Sequence, residues 1–251
     1  MRGAASAPFA KWLTARPIAH RGLHDAAAGI IENTPSAVRA AIAANYGIEV
    51  DLQITADGEA MVFHDDDLRR LTEGTATLAS QTAAALKAVA FKATADRMIT
   101  LSELCRLVAG RVPLVLELKS RFDGDLRVAQ RTAAVLAAYA GPVAAMSFDP
   151  SLVHALRSLA PSLPRGIVAQ RHFDEAPGKP PGYPLALGLL LHAPWSRPQF
   201  VAYGVKDLPA PATILARLIG CPVLTWTVRS SADLTRARRY ADQAIFEGIR
   251  P

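Results

Sequence analysis

Two acidic residues spaced two apart raise the first chemical question. In the stretch "GIEVDLQITADGEAMVFHDDDLRR", residues 47–70, Ile48, Val50 and Leu52 alternate with Glu49, Asp51 and Gln53. Side chains at i and i+2 of a strand share a face, with roughly 7 Å between their α-carbons. One face is therefore apolar, the other sets two carboxylates side by side, and His64 arrives at the end of the next apolar segment. "PLVLELKS", residues 113–120, repeats the pattern, with Val115, Glu117 and Lys119 on one face and Leu114, Leu116 and Leu118 on the other. "IAHRG", residues 18–22, closes an earlier apolar run with His20 and Arg21. Three carboxylates without a partnering cysteine or histidine pair suit a hard, oxygen-seeking cation such as Mg²⁺ or Ca²⁺. Such charges repel in a partly buried site, and a cation is the simplest way to keep them ionised. Arg21 and Lys119 suit an anion lying across the metal, the guanidinium gripping phosphate bidentately. His20 and His64 beside a metal-bound phosphate make a general acid and base for phosphoryl transfer.

Each fragment alone has a plainer explanation. A lone Glu-x-Asp usually marks a solvated strand edge, and a single histidine at a strand end is more often a hydrogen-bonded structural residue. "LELK" alone is an ordinary ion-paired strand. Asp65, Asp66 and Asp67 read as the end of a hairpin, with Asp66 or Asp67 capping the next turn of chain. Only the joint arrival of the fragments at strand ends favours a site.

The elements that must position these residues are short apolar runs alternating with Ala/Leu-rich helical stretches. Strands are expected over residues 17–20, 48–53, 114–119, 143–148, 166–170, 200–206, 223–228 and 244–247. A hairpin arm over 60–64 follows the Asp57-Gly58 turn. The clearest helix follows Thr34, a good N-cap, with Pro35 at the first helical position and Gly47 at the stop. Helices are also expected over 125–139, 151–159, 212–219 and 231–240. Eight strand–helix repeats in a chain of 251 residues predict a parallel (β/α)₈ barrel. In that fold, catalytic groups gather at the C-terminal strand ends, so all the fragments above would face one mouth. The competitor, a doubly wound sheet, lacks its glycine-rich dinucleotide fingerprint. The chain is expected to be a single domain, 1–251, with a small rim insertion at about 56–110. There "TLASQTAAALKAVAF" and "ITLSELCRLVAG" read as two helices, the second starting from Thr100 or Ser102.

At 51% apolar residues the chain can bury a sizeable core. Cys105 and Cys221 lie far apart, which argues against a disulfide framework or a zinc cluster and fits a reducing compartment. No apolar run is long enough for a membrane span, and residues 1–22 carry no continuous apolar core of a signal peptide. The expectation is a soluble, cytoplasmic protein. "YPLALGLLLHAPW", the most apolar stretch, reads as a buried element bracketed by Pro184 and Pro194. The net charge of +6 does not by itself make a nucleic-acid binder. "RSSADLTRARRY", residues 229–240, reads as a solvated helix face, and aromatic RNA-binding signatures and zinc-finger spacings are absent.

"AHRG" at 19–22, "ENT" at 32–34, "EVDLQITADGEAMVFHDDDLRRLT" at 49–72, "ITLSEL" at 99–104 and "LELK" at 116–119 together resemble the glycerophosphodiester phosphodiesterase family. "SFDPSLVHALRSLAPSLPRGIV" and "VLTWTV" resemble its later strands, so the likeness runs from about Ile18 to Val228. The resemblance implies a (β/α)₈ barrel that hydrolyses small-molecule glycerophosphodiesters to glycerol 3-phosphate and an alcohol, with a divalent cation. It implies His20 and His64 as catalytic, Glu49, Asp51 and Glu117 as metal ligands, Arg21 and Lys119 as phosphate contacts, and Trp226 as an aromatic wall. One histidine would deprotonate a glycerol hydroxyl that attacks phosphorus, and the other would protonate the leaving alcohol; which does which stays open. "ADQAIFEGIRP" departs from the family's closing G-(I/V)-x-T-(D/N)-x-P: Glu247 stands near the acidic position, and the threonine is absent. A lysophospholipase D-like activity on longer lipids is the alternative within this scaffold. An exposed apolar rim at the barrel mouth would favour it. A non-catalytic barrel that only binds metal or phosphodiester is the alternative outside it, and such a binder has no need of two histidines.

Overall fold

The computed structural model describes residues 8–171 and 183–251. Among them nine strands form one sheet: β1 Ile18–Ala19, β2 Gly47–Ile54, β3 Ala60–Val62, β4 Leu114–Leu118, β5 Val143–Ser147, β6 Arg165–Ala169, β7 Phe200–Gly204, β8 Val223–Val228 and β9 Gln243–Phe246. All but β3 pair in parallel, and β1 pairs with both β2 and β9, so eight strands close on themselves. The expected (β/α)₈ barrel is what forms, and closure excludes the open-sheet competitor. Among the described residues ten α-helices accompany the strands: α1 Pro8–Leu13, α2 Pro35–Ala43, α3 Ala83–Ala88, α4 Leu101–Val108, α5 Arg127–Leu136, α6 Pro150–Leu159, α7 Tyr183–Gly188, α8 Ala193–Ser196, α9 Pro211–Leu218 and α10 Ser231–Tyr240.

Strand alternation sorts the barrel into two environments. Ile48, Val50 and Leu52 of β2 and Leu114, Leu116 and Leu118 of β4 pack outward against Val38 of α2, Leu104 of α4 and Val128 of α5. The interleaved positions face inward, where Ile18, Val115, Ala144, Val168, Phe200, Leu224 and Ile245 build an apolar interior. Burying each such large side chain contributes on the order of 1.5–3 kcal/mol. The unforeseen α1 adds Leu13, Phe9 and Trp12 to that interior, and the Gln243 side chain donates to the Thr14 carbonyl at 2.8 Å, which ties the end of α1 to the start of β9. The apolar floor leaves the C-terminal strand ends as the place for charge.

The caps explain where the helices begin. Thr34 accepts from the Ala37 N–H, and Thr100, not Ser102, starts α4 through a capping box with Glu103. Other boundaries move by a residue or two; β1 stops at Ala19 because Arg21 turns to φ +54°. The helix expected over 77–91 is broken into a 3₁₀ turn, Leu78–Ser80, and α3, because Gln81 is extended and gives its carbonyl to the Ala56 N–H. This rim excursion has a small core of its own, including Met61, Phe63, Leu68, Leu86 and Met98. The apolar run 183–195 is not one buried element. Leu190, at φ +56°, interrupts it, so no single face can bury its leucines; Leu187 is buried, while Leu185, Leu191 and Trp195 are half-exposed or more. Among the described residues no helix is long and apolar enough to cross a membrane, and Cys105 and Cys221 are free thiols.

Candidate active site

A cavity of about 460 Å³ opens at the C-terminal strand ends, and all eight residues singled out from the sequence line it: His20, Arg21, Glu49, Asp51, His64, Glu117, Lys119 and Trp226. Asp51 and Glu117 stand directly opposite each other in the β2–β4 register, with Glu49 one inward step earlier on β2. One oxygen from each of the three carboxylates lies within 4.8 Å of the others. Burial, then the neighbouring Asp51 and Glu117 charges, push the Glu49 carboxyl well above its ordinary range. Asp51 is equally buried, but Lys119, His64 and Arg21 outweigh that burial and hold its carboxyl below the usual range. The cluster therefore resists full ionisation at its innermost member, and its all-oxygen donor set fits a hard divalent cation.

Short polar contacts fix each member. The Asn33 side chain donates to Asp51 Oδ2 at 2.9 Å and accepts from the Asp51 N–H at 3.3 Å. Arg21, in the left-handed region, turns its own N–H onto Glu49 Oε2 at 3.0 Å. Gly22 follows at φ +79°, and a Cβ there would sit 2.9 Å from Ala37, so α2 packs straight onto the turn that aims Arg21. Lys119 Nζ lies 3.1 Å from Glu117 and 3.5 Å from Asp51. Burial lowers the affinity of this ammonium for its proton, and the two carboxylates more than reverse that.

Both histidines commit Nδ1 to a carboxylate. His20 Nδ1 is 2.5 Å from Glu247 Oε2, and its Nε2 faces the cluster, 4.0 Å from Glu49. Burial is the largest influence on the His20 ring and pulls its pKa down. Glu247 is gripped in turn by Arg229 Nε at 2.6 Å. Burial would raise the Glu247 carboxyl, but hydrogen bonds from His20, His24 and Arg229 hold it far below the usual range. His64 Nδ1 is 2.7 Å from Asp65 Oδ1, and the Gln53 amide donates to the carbonyls of Phe63 and Asp65 on either side of it. Since a carboxylate only accepts, each neutral ring carries its proton on Nδ1 and leaves Nε2 bare. Trp226 donates Nε1–H to the Ala202 carbonyl at 3.1 Å and meets Phe148 edge-on at 5.5 Å, forming an apolar wall.

Several contributors escaped the sequence reading. Asp65 does not merely end the hairpin, since it braces His64; the capping role belongs to Asp67, which accepts from the Arg69 N–H. Glu247, from the divergent terminal segment, braces His20. Arg229 is not simply part of a solvated face, because it pairs with Glu247. Signals for others were present: Gln53 shares the inward face of Glu49 and Asp51, and "ENT" sets Glu32 on Arg21, Asn33 on Asp51 and Thr34 at the start of α2.

A closed α/β barrel with a carboxylate trio, two cations and two braced imidazoles at its mouth is the class of protein on view. The chain matches the model of the glycerophosphoryl diester phosphodiesterase family over residues 20–247 and belongs to that family. Over 167 residues it is 28% identical to YhdW of Bacillus subtilis (strain 168), which is provisionally named a glycerophosphodiester phosphodiesterase. That match covers 62% of this chain and 66% of YhdW, so the chain spans just under two thirds of that relative. The fold is similar to that of an Oleispira antarctica phosphodiesterase solved in complex with the product sn-glycerol-3-phosphate, at TM-score 0.77 and 20% identity over 94% of each chain. It is similar also to a Silicibacter pomeroyi protein provisionally named a glycerophosphoryl diester phosphodiesterase, at TM-score 0.77 and 24% identity over 95% of this chain and 94% of that one.

Proposed function

We propose that this chain, acting as a single barrel domain with its rim insertion, hydrolyses glycerophosphodiesters to sn-glycerol 3-phosphate and an alcohol with the aid of a divalent cation. The observation that carries the reading is the meeting of three carboxylate oxygens within 4.8 Å and two carboxylate-braced imidazoles in one cavity. Family membership and the product bound by the Oleispira relative support it. Glu49, Asp51 and Glu117 would hold Mg²⁺ or Ca²⁺, which supplies positive charge to the phosphate oxygens. Arg21 and Lys119 grip and orient the phosphate.

His20, whose affinity for a proton burial lowers, suits the base. Its bare Nε2 takes the proton from the neighbouring glycerol hydroxyl as that oxygen attacks phosphorus. The bond from phosphorus to the alcohol oxygen breaks, and His64, protonated on Nε2, gives that oxygen its proton. Water then opens the cyclic phosphate with the two roles exchanged. Trp226 and Phe148 wall the cavity opposite the charges. A binder that does no chemistry would not need both braced rings. Among the described residues the exposed large apolar side chains lie on or next to α6–α9, and none of them lines the cavity, which favours small head groups over long lipids.

The test is incubation of purified protein with glycerophosphocholine, -ethanolamine, -glycerol and -inositol in Mg²⁺ or Ca²⁺. Release of sn-glycerol 3-phosphate from at least one is expected. If the cation binds but no phosphomonoester forms from any of them, the proposal fails.

A further inference from the structure

Arg70, on the 3₁₀ turn Leu68–Arg70 of the rim excursion, is used by none of the steps above, yet it joins two parts of the site. One edge of its guanidinium holds Asp65, with Nε 2.5 Å from Oδ2 and Nη2 3.1 Å from Oδ1. The other edge holds Glu32, with Nη2 2.6 Å from Oε1 and Nη1 3.2 Å from Oε2. Each carboxylate passes the contact inward: Asp65 Oδ1 to His64 Nδ1 at 2.7 Å, and Glu32 Oε1 to Arg21 Nη1 at 2.7 Å. Arg21 Nε, buried and without a hydrogen-bond partner, is left facing Asp51 at 3.4 Å on the cavity side. A continuous path of hydrogen bonds thus runs His64–Asp65–Arg70–Glu32–Arg21.

We propose that Arg70 is a positioning residue that locks the acid–base ring of His64 and the phosphate-facing guanidinium of Arg21 into one unit. The inference rests on the roles given above to His64 and Arg21. Only a planar fork with donors on two edges can serve both carboxylates at once; an ammonium is a point charge and serves one well. Without Arg70, Asp65 and Glu32 would lose the cation between them and repel, loosening both inner partners. An isolated, half-exposed ion pair contributes little, so the network and not the pair is the functional object. Asp67 and the buried Leu68 fix the turn that carries Arg70, which gives the rim excursion a task at the site.

The test factors the path into its arms. Asp65→Asn should lower kcat and leave KM nearly unchanged. Glu32→Gln should raise KM and leave kcat nearly unchanged. Arg70→Met should do both, each by about 10-fold or more, within the ~10–100-fold seen when an outer partner of an active-site group is lost. Arg70→Lys should recover part of one effect. In the Asp65→Asn background, Arg70→Met should cost no further kcat but still raise KM. Ring-nitrogen NMR of His64 in its neutral form should show the proton on Nδ1 in the parent and a tautomer mixture in Arg70→Met. This readout needs no turnover: a parent protein inactive on every diester overturns the proposed function, while the NMR result still decides the brace. Arg69→Met, on the same turn but with its side chain paired to Asp67 alone among the described residues, is the control and should leave kcat, KM and the His64 tautomer unchanged. Native kcat, KM and His64 tautomer in Arg70→Met would overturn the proposal. Should Arg70→Met not fold, the two single-arm changes decide: if kcat and KM do not separate between them, the proposal is wrong.

Discussion

The side of the barrel built by β1, β2, β4 and the hairpin differs in kind from the side built by β5 to β8. The first supplies His20, Arg21, Glu49, Asp51, His64, Glu117 and Lys119 to the cavity; the second supplies an apolar wall from Met146, Phe148 and Trp226, with the polar Gln170, Lys206, Asp207, Thr227 and Arg229 beside it. Both sides obey the same inward–outward alternation, so the fold does not dictate the difference. It separates a side that gathers the carboxylate trio and both histidines from a side of mixed polarity whose strand residues Met146, Phe148 and Trp226 form an apolar wall. Glu247 is the instructive exception. It lies 227 residues from His20 in sequence, yet β9 closes the barrel beside β1 and delivers it to the charged side. Closure therefore shapes the cavity as well as the core.

The largest losses are expected at the histidines. His20→Ala and His64→Ala should each lower turnover by about 10²–10⁴, the range for a lost general acid or base, with cation affinity little changed. The double mutant should lose far less than the product of the two, since both act on one transition state. An activated aryl leaving group should rescue His64→Ala and not His20→Ala; rescue of the other would exchange the assigned roles.

How far these sides were legible in the sequence tracks the same division. The charged side announces itself because its residues sit on alternating strands a few positions apart, as in Glu49, Asp51 and Gln53, where period and residue type are both local. The braces are non-local. Nothing near Glu247 names His20 as its partner, and Asp65 looked like a turn residue because turns favour aspartate. The eight-strand repeat predicted the barrel, but strand ends shifted where a single residue's dihedral decided, as at Arg21. The run 183–195 misled because apolar composition is not burial: a bend at Leu190 leaves Leu185, Leu191 and Trp195 facing outward.

Glu247→Gln sharpens the exception. The change keeps the shape but weakens the grip on His20, and turnover should fall ~10–100-fold. It should also alter acid stability. Glu247's folded-state pKa is depressed, so the unfolded chain binds its proton first as the pH falls. Its contribution is complete above the unfolded value of about 4.3 and is lost as the pH drops toward the folded value. Urea midpoints at pH 7 and pH 4 should therefore differ less in Glu247→Gln than in the parent, and an unchanged difference would remove Glu247 from the account.

At the apolar wall and in the barrel interior the effects on chemistry shrink. Trp226→Ala should act on KM more than on kcat, because it removes a wall and no charge; a loss of turnover as large as that of His64→Ala would contradict the division. Phe200→Ala, in the barrel interior, should cost about 3–5 kcal/mol of stability and leave kcat nearly native in measurements below its melting temperature. A Phe200→Ala protein that stays stable but loses turnover would show that the apolar interior takes part in the chemistry.

The carboxylate trio is the centre of the account, and turnover during cation removal and return tests it most directly. Glycerophosphodiester hydrolysis should vanish in excess EDTA and return with Mg²⁺ or Ca²⁺, and Glu49→Gln, still folded, should need a higher concentration of the same ion. Undiminished turnover in excess EDTA would contradict the claim that Glu49, Asp51 and Glu117 form a metal clamp.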